Sequence, residues 1–316
     1  MRVVFMGTPE FAKASLQEIH ENSLHEIVGV VTVPDKPAGR GQKIQQSAVK
    51  QYAEEKKLPL LQPEKLRDKN FIEALKKLDA DVFVVVAFRM LPQVVWSIPP
   101  KGTFNLHGSL LPQYRGAAPI NWAIMNGEKE TGVTTFLIDE KIDTGKILLT
   151  DKVAIGVDDN VGKIHDELMN LGKKLVVETL DALEKDSITS YPQPLEKELH
   201  HAPKLYKDDC RIDWSWKLEK IHNHVRGLSP YPAAWTMING KSAKILAGKI
   251  AQDFPEDLSK NVLHLTKNNL FVRVENGVYE ILEIQPQGKR KMSAKDFING
   301  NQNVSWLALD LSLIHI

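Results

Sequence analysis

The chain has 316 residues, 42% hydrophobic and 26% charged, with a formal net charge of +1. That length suits two domains, and the composition excludes a disordered or fibrous chain. A lone cysteine, Cys210, excludes an internal disulfide, and the longest apolar run, Val82 to Phe88, is far below the ~20 residues of a membrane helix. A reducing, cytoplasmic setting is the expectation, since Val3-Val4-Phe5-Met6 before Pro9 is too short for a signal-peptide core. Charge is uneven: residues 201–316 hold 16 Lys+Arg against 12 Asp+Glu, while residues 1–200 lean acidic. A mildly basic second half suits a polyanionic partner, and equally a plain solvated surface.

Val3–Met6 reads as a short buried strand, and Pro9 can open a helix through Phe11, Ala14, Leu16 and Ile19. Between them stands Gly7-Thr8-Pro9, where a dinucleotide fold would carry its phosphate loop. Only one glycine of G-x-G-x-x-G is present, and Thr8 and Pro9 would obstruct a pyrophosphate, so a nicotinamide or flavin cofactor is rejected. Ile27–Thr32 is the next buried strand. Val33 to Lys43 reads as a loop of two prolines and two glycines that carries Lys36, Arg40 and Lys43. It is either an ordinary solvated loop or a basic arm for a phosphate backbone. Ser47 can cap a helix through Val49 and Tyr52, Leu66–Leu78 has helical spacing, and Asp81–Ala87 is a third buried strand. This rhythm predicts a parallel sheet covered on both faces.

Thr103–His107 reads as a strand, Ala117–Met125 as a helix with Pro119 in its first turn, and Thr131–Ile138 and Ile147–Ile155 as strands. Asn160–Glu184 is a long amphipathic helix. Ile188 to Tyr206 carries Pro192, Pro194 and Pro203 and reads as a linker. A helix over Lys217–Arg226 then precedes short alternating segments, Trp235–Ile238, Ala243–Ile250, Val262–Leu265, Leu270–Val274 and Val278–Gln285, which suggest a small barrel. The expected domains are residues 1–187 and 207–316, joined by 188–206.

Asn105 and His107 are two apart on one strand and therefore share a face. They can converge on one small group, with Asp143 of Ile142-Asp143-Thr144-Gly145 as a third polar partner. Such a set suits acyl chemistry with a tetrahedral oxyanion, although the first two could be satisfied sheet residues and Asp143 a turn former. There is no second His at helical spacing and no cysteine pair, so no metal site is expected. Cys210 sits among charged residues without a motif. His222 and His224 face solvent or pack.

The run from Phe104 to Leu148, FNLHGSLLPQYRGAAPINWAIMNGEKETGVTTFLIDEKIDTGKIL, resembles the folate-dependent formyltransferases. FMGTPEFA, PDKPAGRGQK, the Ser229–Trp235 run and Gln287–Met292 with Asp296-Phe297 resemble the branch that acts on charged initiator tRNA. The likeness covers nearly the whole chain and departs at Phe88-Arg89, where many members have Tyr-Gly. It implies an α/β protein, with a Rossmann-like N-terminal formyltransferase domain and a C-terminal OB-like β-barrel. It implies 10-formyltetrahydrofolate as formyl donor and initiator methionyl-tRNA as acceptor, with no metal. By resemblance, Asn105, His107 and Asp143 are catalytic. Ser109, Leu110, Leu111 and Pro112, with Phe88, Met90 and Leu91, would hold the folate. Lys36, Arg40, Lys43, Lys289 and Arg290 would meet the tRNA. A monomer is expected. Transfer to a small amine would use the same three residues, and the basic loop and the C-terminal run weigh against it; a hydrolase, with water in place of the amine, usually carries a further regulatory or dehydrogenase module, and none is visible.

Overall fold

The computed structural model describes residues 1–38, 43–194 and 198–309. In chain order the elements are β1 (Arg2–Gly7), α1 (Glu10–Asn22), β2 (Glu26–Val31), β3 (Lys36–Ala38), β4 (Lys43–Gln45), α2 (Ala48–Glu55), β5 (Leu60–Leu61), α3 (Lys69–Lys77), β6 (Val82–Val86), α4 (Gln93–Trp96), β7 (Thr103–His107), β8 (Arg115–Gly116), α5 (Pro119–Met125), β9 (Glu130–Leu137), β10 (Ile147–Ala154) and α6 (Val161–Glu184). Then come β11 (His201–Ala202), α7 (Leu218–Leu228), β12 (Ala234–Ile238), β13 (Lys241–Ile250), β14 (Val262–Leu265), β15 (Leu270–Val274), β16 (Gly277–Pro286), β17 (Met292–Ser293), α8 (Ala294–Asn299) and β18 (Trp306–Ala308). Among the described residues no helix is long and apolar enough to cross a membrane.

Two compact units form, interleaved in sequence: residues 1–116, 132–153 and 166–201 make the first, and 117–131, 154–165 and 202–316 the second. The first unit carries a seven-stranded sheet in the order β10-β9-β7-β6-β1-β2-β5. From β5 to β7 the strands are parallel. Burial explains their composition: Val3–Met6 and all of β6 lie inside, so both faces must be apolar. The expectation of a parallel sheet needs one correction, because β9 pairs antiparallel with β7. The edge of a parallel sheet accepts a strand of either direction, and a residue pattern does not encode that choice.

Local signals set the helix starts. Ser47 accepts a hydrogen bond from Lys50 N at 3.0 Å and opens α2. Asp68 does the same for Phe71 N at 3.1 Å, so α3 starts at Lys69 rather than at Leu66. Val33–Lys43, expected as a loop, carries β3, which pairs antiparallel with β4, Lys36 opposite Gln45 and Pro37 opposite Ile44. Within residues 188–206, Tyr191 bridges Ile147, and His200 stacks on Tyr114 with ring centroids 5.7 Å apart.

The second unit is a curled antiparallel sheet, β12-β13-β16-β15-β14-β18, with β17 beside β16. A bridge between Ile238 and Leu309, with Asn239 N donating to Ala308 O at 3.0 Å, returns the last strand to the first. That is the small barrel the short alternating strands predict, OB-like as the resemblance implies. Trp214, Ile221, Val225, Leu270 and Tyr279 fill its core. Within this unit α5 packs on α7, where Asn121 Nδ2 donates to Gly227 O at 2.8 Å. Cys210 is buried and its Sγ donates to Tyr206 O at 3.3 Å; burial pushes the thiol up, which keeps it an unreactive thiol.

Both α7 histidines pack. His224 is 3% exposed, with its ring edge-on to Trp216 at 5.0 Å, and burial pushes its pKa down to about 4 from 6.5. Below 6.5 the unfolded chain takes up a proton that the folded chain refuses. Stability therefore falls as pH drops from 6.5 towards 4, by up to about 1.4 kcal/mol per pH unit from this group. Denaturant unfolding at pH 7.5 and pH 5 should show a steeper loss in the wild type than in His224→Gln. Equal losses would rule out His224 as the source.

Candidate active site

β7 places its side chains by alternation. Phe104 and Leu106 point to one face, where Leu106 meets α6 at Gly172. Asn105 and His107 point to the other, which they share with Phe136 and Thr134, their register partners on β9. The His107 ring meets Phe136 edge-on, with centroids 6.5 Å apart. Asn105 is half-buried, and among the described residues its carboxamide has no hydrogen-bond partner.

His107 is buried, hydrogen-bonded at one ring nitrogen and facing a carboxylate with the other. Nε2 donates to the Tyr114 carbonyl at 2.9 Å; a carbonyl only accepts, so that nitrogen carries the proton. Nδ1 faces Asp143 Oδ2 at 3.8 Å, and the two side chains are 7% and 14% exposed. The ring is thus fixed in orientation with a carboxylate behind it.

Asp143 lies between β9 and β10 with φ at 55°, a left-handed conformation that Asp tolerates better than most residues. Its Oδ2 accepts from Gly116 N at 3.0 Å. The neighbouring turn is tied by Asp139 Oδ1, which accepts from Thr144 Oγ1 at 2.7 Å and Lys141 N at 3.0 Å. Gly145 is required here: a Cβ on it would overlap the Leu137 carbonyl. A brace from a distant stretch completes the loop. Gln193 Nε2 donates to the carbonyls of Asp143 at 2.8 Å and Gly145 at 2.9 Å, and Arg115 donates to Gln193 Oε1. Sequence reasoning missed Gln193 and Arg115. Gln193 sits between two prolines in a segment with no periodicity, and nothing local marks it.

The other expected residues divide. Ser109 Oγ donates to Gln113 O at 2.7 Å, and Thr134 Oγ1 donates to Ser109 O at 2.7 Å, which fixes the turn after β7. Leu110 is half-buried, while Leu111 and Pro112 are buried. After β6, Met90 is exposed, Phe88 half-buried and Leu91 buried in the core. Arg89 bonds the carbonyls of Glu64 at 3.0 Å and Pro63 at 2.8 Å, and burial lowers its pKa. Lys36, Lys289 and Arg290 are exposed. Arg40 and the side chain of Lys43 lie outside the described residues.

A carboxamide, an oriented imidazole and a carboxylate at the carboxyl edge of a sheet can stabilise an oxyanion and move a proton. Comparison with known proteins bears on which reaction that is. The family model described as Formyl transferase matches residues 1–180, and the one described as Formyl transferase, C-terminal domain matches residues 204–302. The chain is 48% identical over 310 residues to the methionyl-tRNA formyltransferase of Bacteroides fragilis, covering 95% of each chain. It is 49% identical over 315 residues to that of Parabacteroides distasonis, covering 96% of this chain and 97% of the other. Among solved structures, HypX from Aquifex aeolicus in complex with tetrahydrofolic acid matches with a TM-score of 0.66 at 19% identity, over 96% of this chain and 48% of HypX. The chain therefore spans about half of HypX. The N-formyltransferase of Helicobacter canadensis, in complex with folinic acid and dTDP-3-aminofucose, matches with a TM-score of 0.65 at 20% identity, over 92% and 99% of the two chains. At such identities these structures speak for the fold.

Proposed function

The chain belongs to the formyl transferase family, among the methionyl-tRNA formyltransferases, and from that membership we propose the reaction in detail: the formyl group of 10-formyltetrahydrofolate passes to the free amino group of methionine on charged initiator tRNA. The observation that carries the chemistry is the Asn105 amide, without a hydrogen-bond partner among the described residues, on the same strand face as the His107 ring, with Asp143 facing that ring. A half-buried amide not used by the fold is open to solvent and can serve a ligand. The amine attacks the formyl carbon, and an oxyanion forms. Asn105 donates to it, and the His107 Nε2–H, which donates to the Tyr114 carbonyl in the free protein, would turn to it as a second donor. Asp143 stabilises positive charge that develops on the imidazole and helps to bring a proton to the departing N10 nitrogen of the folate. Ser109–Pro112, with Phe88, Met90 and Leu91, would border the donor.

The acceptor is a polyanion, and the exposed Lys36, Lys289 and Arg290, together with Arg40 and Lys43, are the residues proposed to meet it. On this reading the protein works as a monomer in the cytoplasm. The test is formylation of charged initiator tRNA over a salt series. The reaction at sub-saturating tRNA should fall steeply with salt, because phosphate contacts release counterions. Arg40→Ala should raise KM for the tRNA, leave KM for the folate unchanged and flatten the log–log salt slope by about one. Unchanged kinetics in Arg40→Ala would remove that residue from the tRNA contact.

A further inference from the structure

Two cross-links close the neck of the segment between β2 and α2. Thr32, buried just after β2, donates through Oγ1 to the Gly7 carbonyl at 2.7 Å and accepts from Ser47 Oγ at 2.7 Å. Lys50 Nζ donates to Asp35 Oδ2 at 2.6 Å. Gln62 Nε2 donates to Asp35 Oδ1 and to the Val33 carbonyl, both at 2.9 Å. Lys50 is 8% exposed, although lysine is rarely buried without a task for its charge. Between these links lie the paired strands β3 and β4, with Lys36 and Lys43 at strand positions.

The place of the neck matters. Gly7 ends β1, and Thr32 follows the end of β2, so the neck stands on the carboxyl edge of the parallel strands. β7 ends in His107 at that same edge, because β1, β6 and β7 run parallel side by side. A buried ion pair adds little to stability compared with apolar packing, and its better-attested use is to fix one arrangement. The Asp35–Lys50 pair ties the residue that precedes β3 to α2, which follows β4.

We propose that Asp35, Lys50 and Gln62 form a positioning clamp that aims the basic β3–β4 strand pair at the RNA acceptor. The proposal rests on the tRNA reading above. These residues touch neither the donor nor the reacting atoms, so their loss should separate acceptor use from donor use. The experiment measures kcat and both KM values for Lys50→Met, Asp35→Asn and the double variant, alongside their unfolding midpoints. Asp35→Asn keeps the side-chain shape and so guards against simple misfolding. The expected result is a KM for charged initiator tRNA raised about tenfold in each single variant, with kcat and donor KM within twofold. The double variant should be no worse than either single one, since one shared contact is lost. An unchanged tRNA KM in both single variants overturns the proposal. A joint fall in kcat, donor affinity and midpoint also overturns it, because the pair then serves the fold alone. Absence of tRNA formylation by the wild type overturns the tRNA reading itself, and the clamp with it.

Discussion

Asn105→Ala is expected to slow formyl transfer at least a hundredfold while leaving the unfolding midpoint and tRNA affinity nearly unchanged. Its amide is half-buried and has no side-chain partner among the described residues, so the fold loses little when it goes. The transition state loses much. One well-placed oxyanion donor is worth roughly 3–4 kcal/mol, and about 1.4 kcal/mol is a factor of ten in rate. His107→Ala should cost at least as much, because on the proposed mechanism the ring both donates to the oxyanion and is the group that Asp143 supports. It also vacates a buried site against Phe136 and the Tyr114 carbonyl, so some loss of stability accompanies it. Asn105→Ala is the cleaner variant. Near-normal turnover in both would refute the assignment.

Asp143→Asn is expected to cut kcat about a hundredfold, with KM for donor and acceptor within threefold. Asparagine suits the left-handed backbone at φ 55°, and its side-chain oxygen can still accept from Gly116 N. The backbone carbonyls held by Gln193 are untouched. What disappears is the negative charge 3.8 Å from His107 Nδ1. The same exchange behind a catalytic histidine elsewhere costs up to ~10⁴, and a longer contact should cost less. A kcat within threefold of wild type would make Asp143 a loop-former with no part in the chemistry. A fall in midpoint matching the fall in rate would say the same.

The sequence already displayed the strands of the first sheet, because Val3–Met6 and Val82–Val86 are apolar on both faces and only a doubly covered strand needs that. Asn105 and His107 were legible through the period of two. Asp143 stood out through its turn partners, not through its distance to His107, which depends on a loop closed by residues 50 positions away. The antiparallel direction of β9 was hidden because strand direction leaves no mark on composition. The pairing of residues 36–38 with 43–45 was hidden by the prolines and glycines of the segment, which read as loop. Gln193 was hidden because a brace made by one glutamine to two carbonyls has no periodicity to reveal it. His222 and His224, left open between solvent and core, are buried on a helix whose wide apolar face turns to the barrel.

The most direct measurement compares formyl transfer from 10-formyltetrahydrofolate to methionine-charged initiator tRNA, methionine-charged elongator tRNA and free methionine. A strong preference for the charged initiator is the expected result, with little or no transfer to free methionine. Consumption of the folate without formylated tRNA would contradict it, and would move the acceptor to water or a small amine.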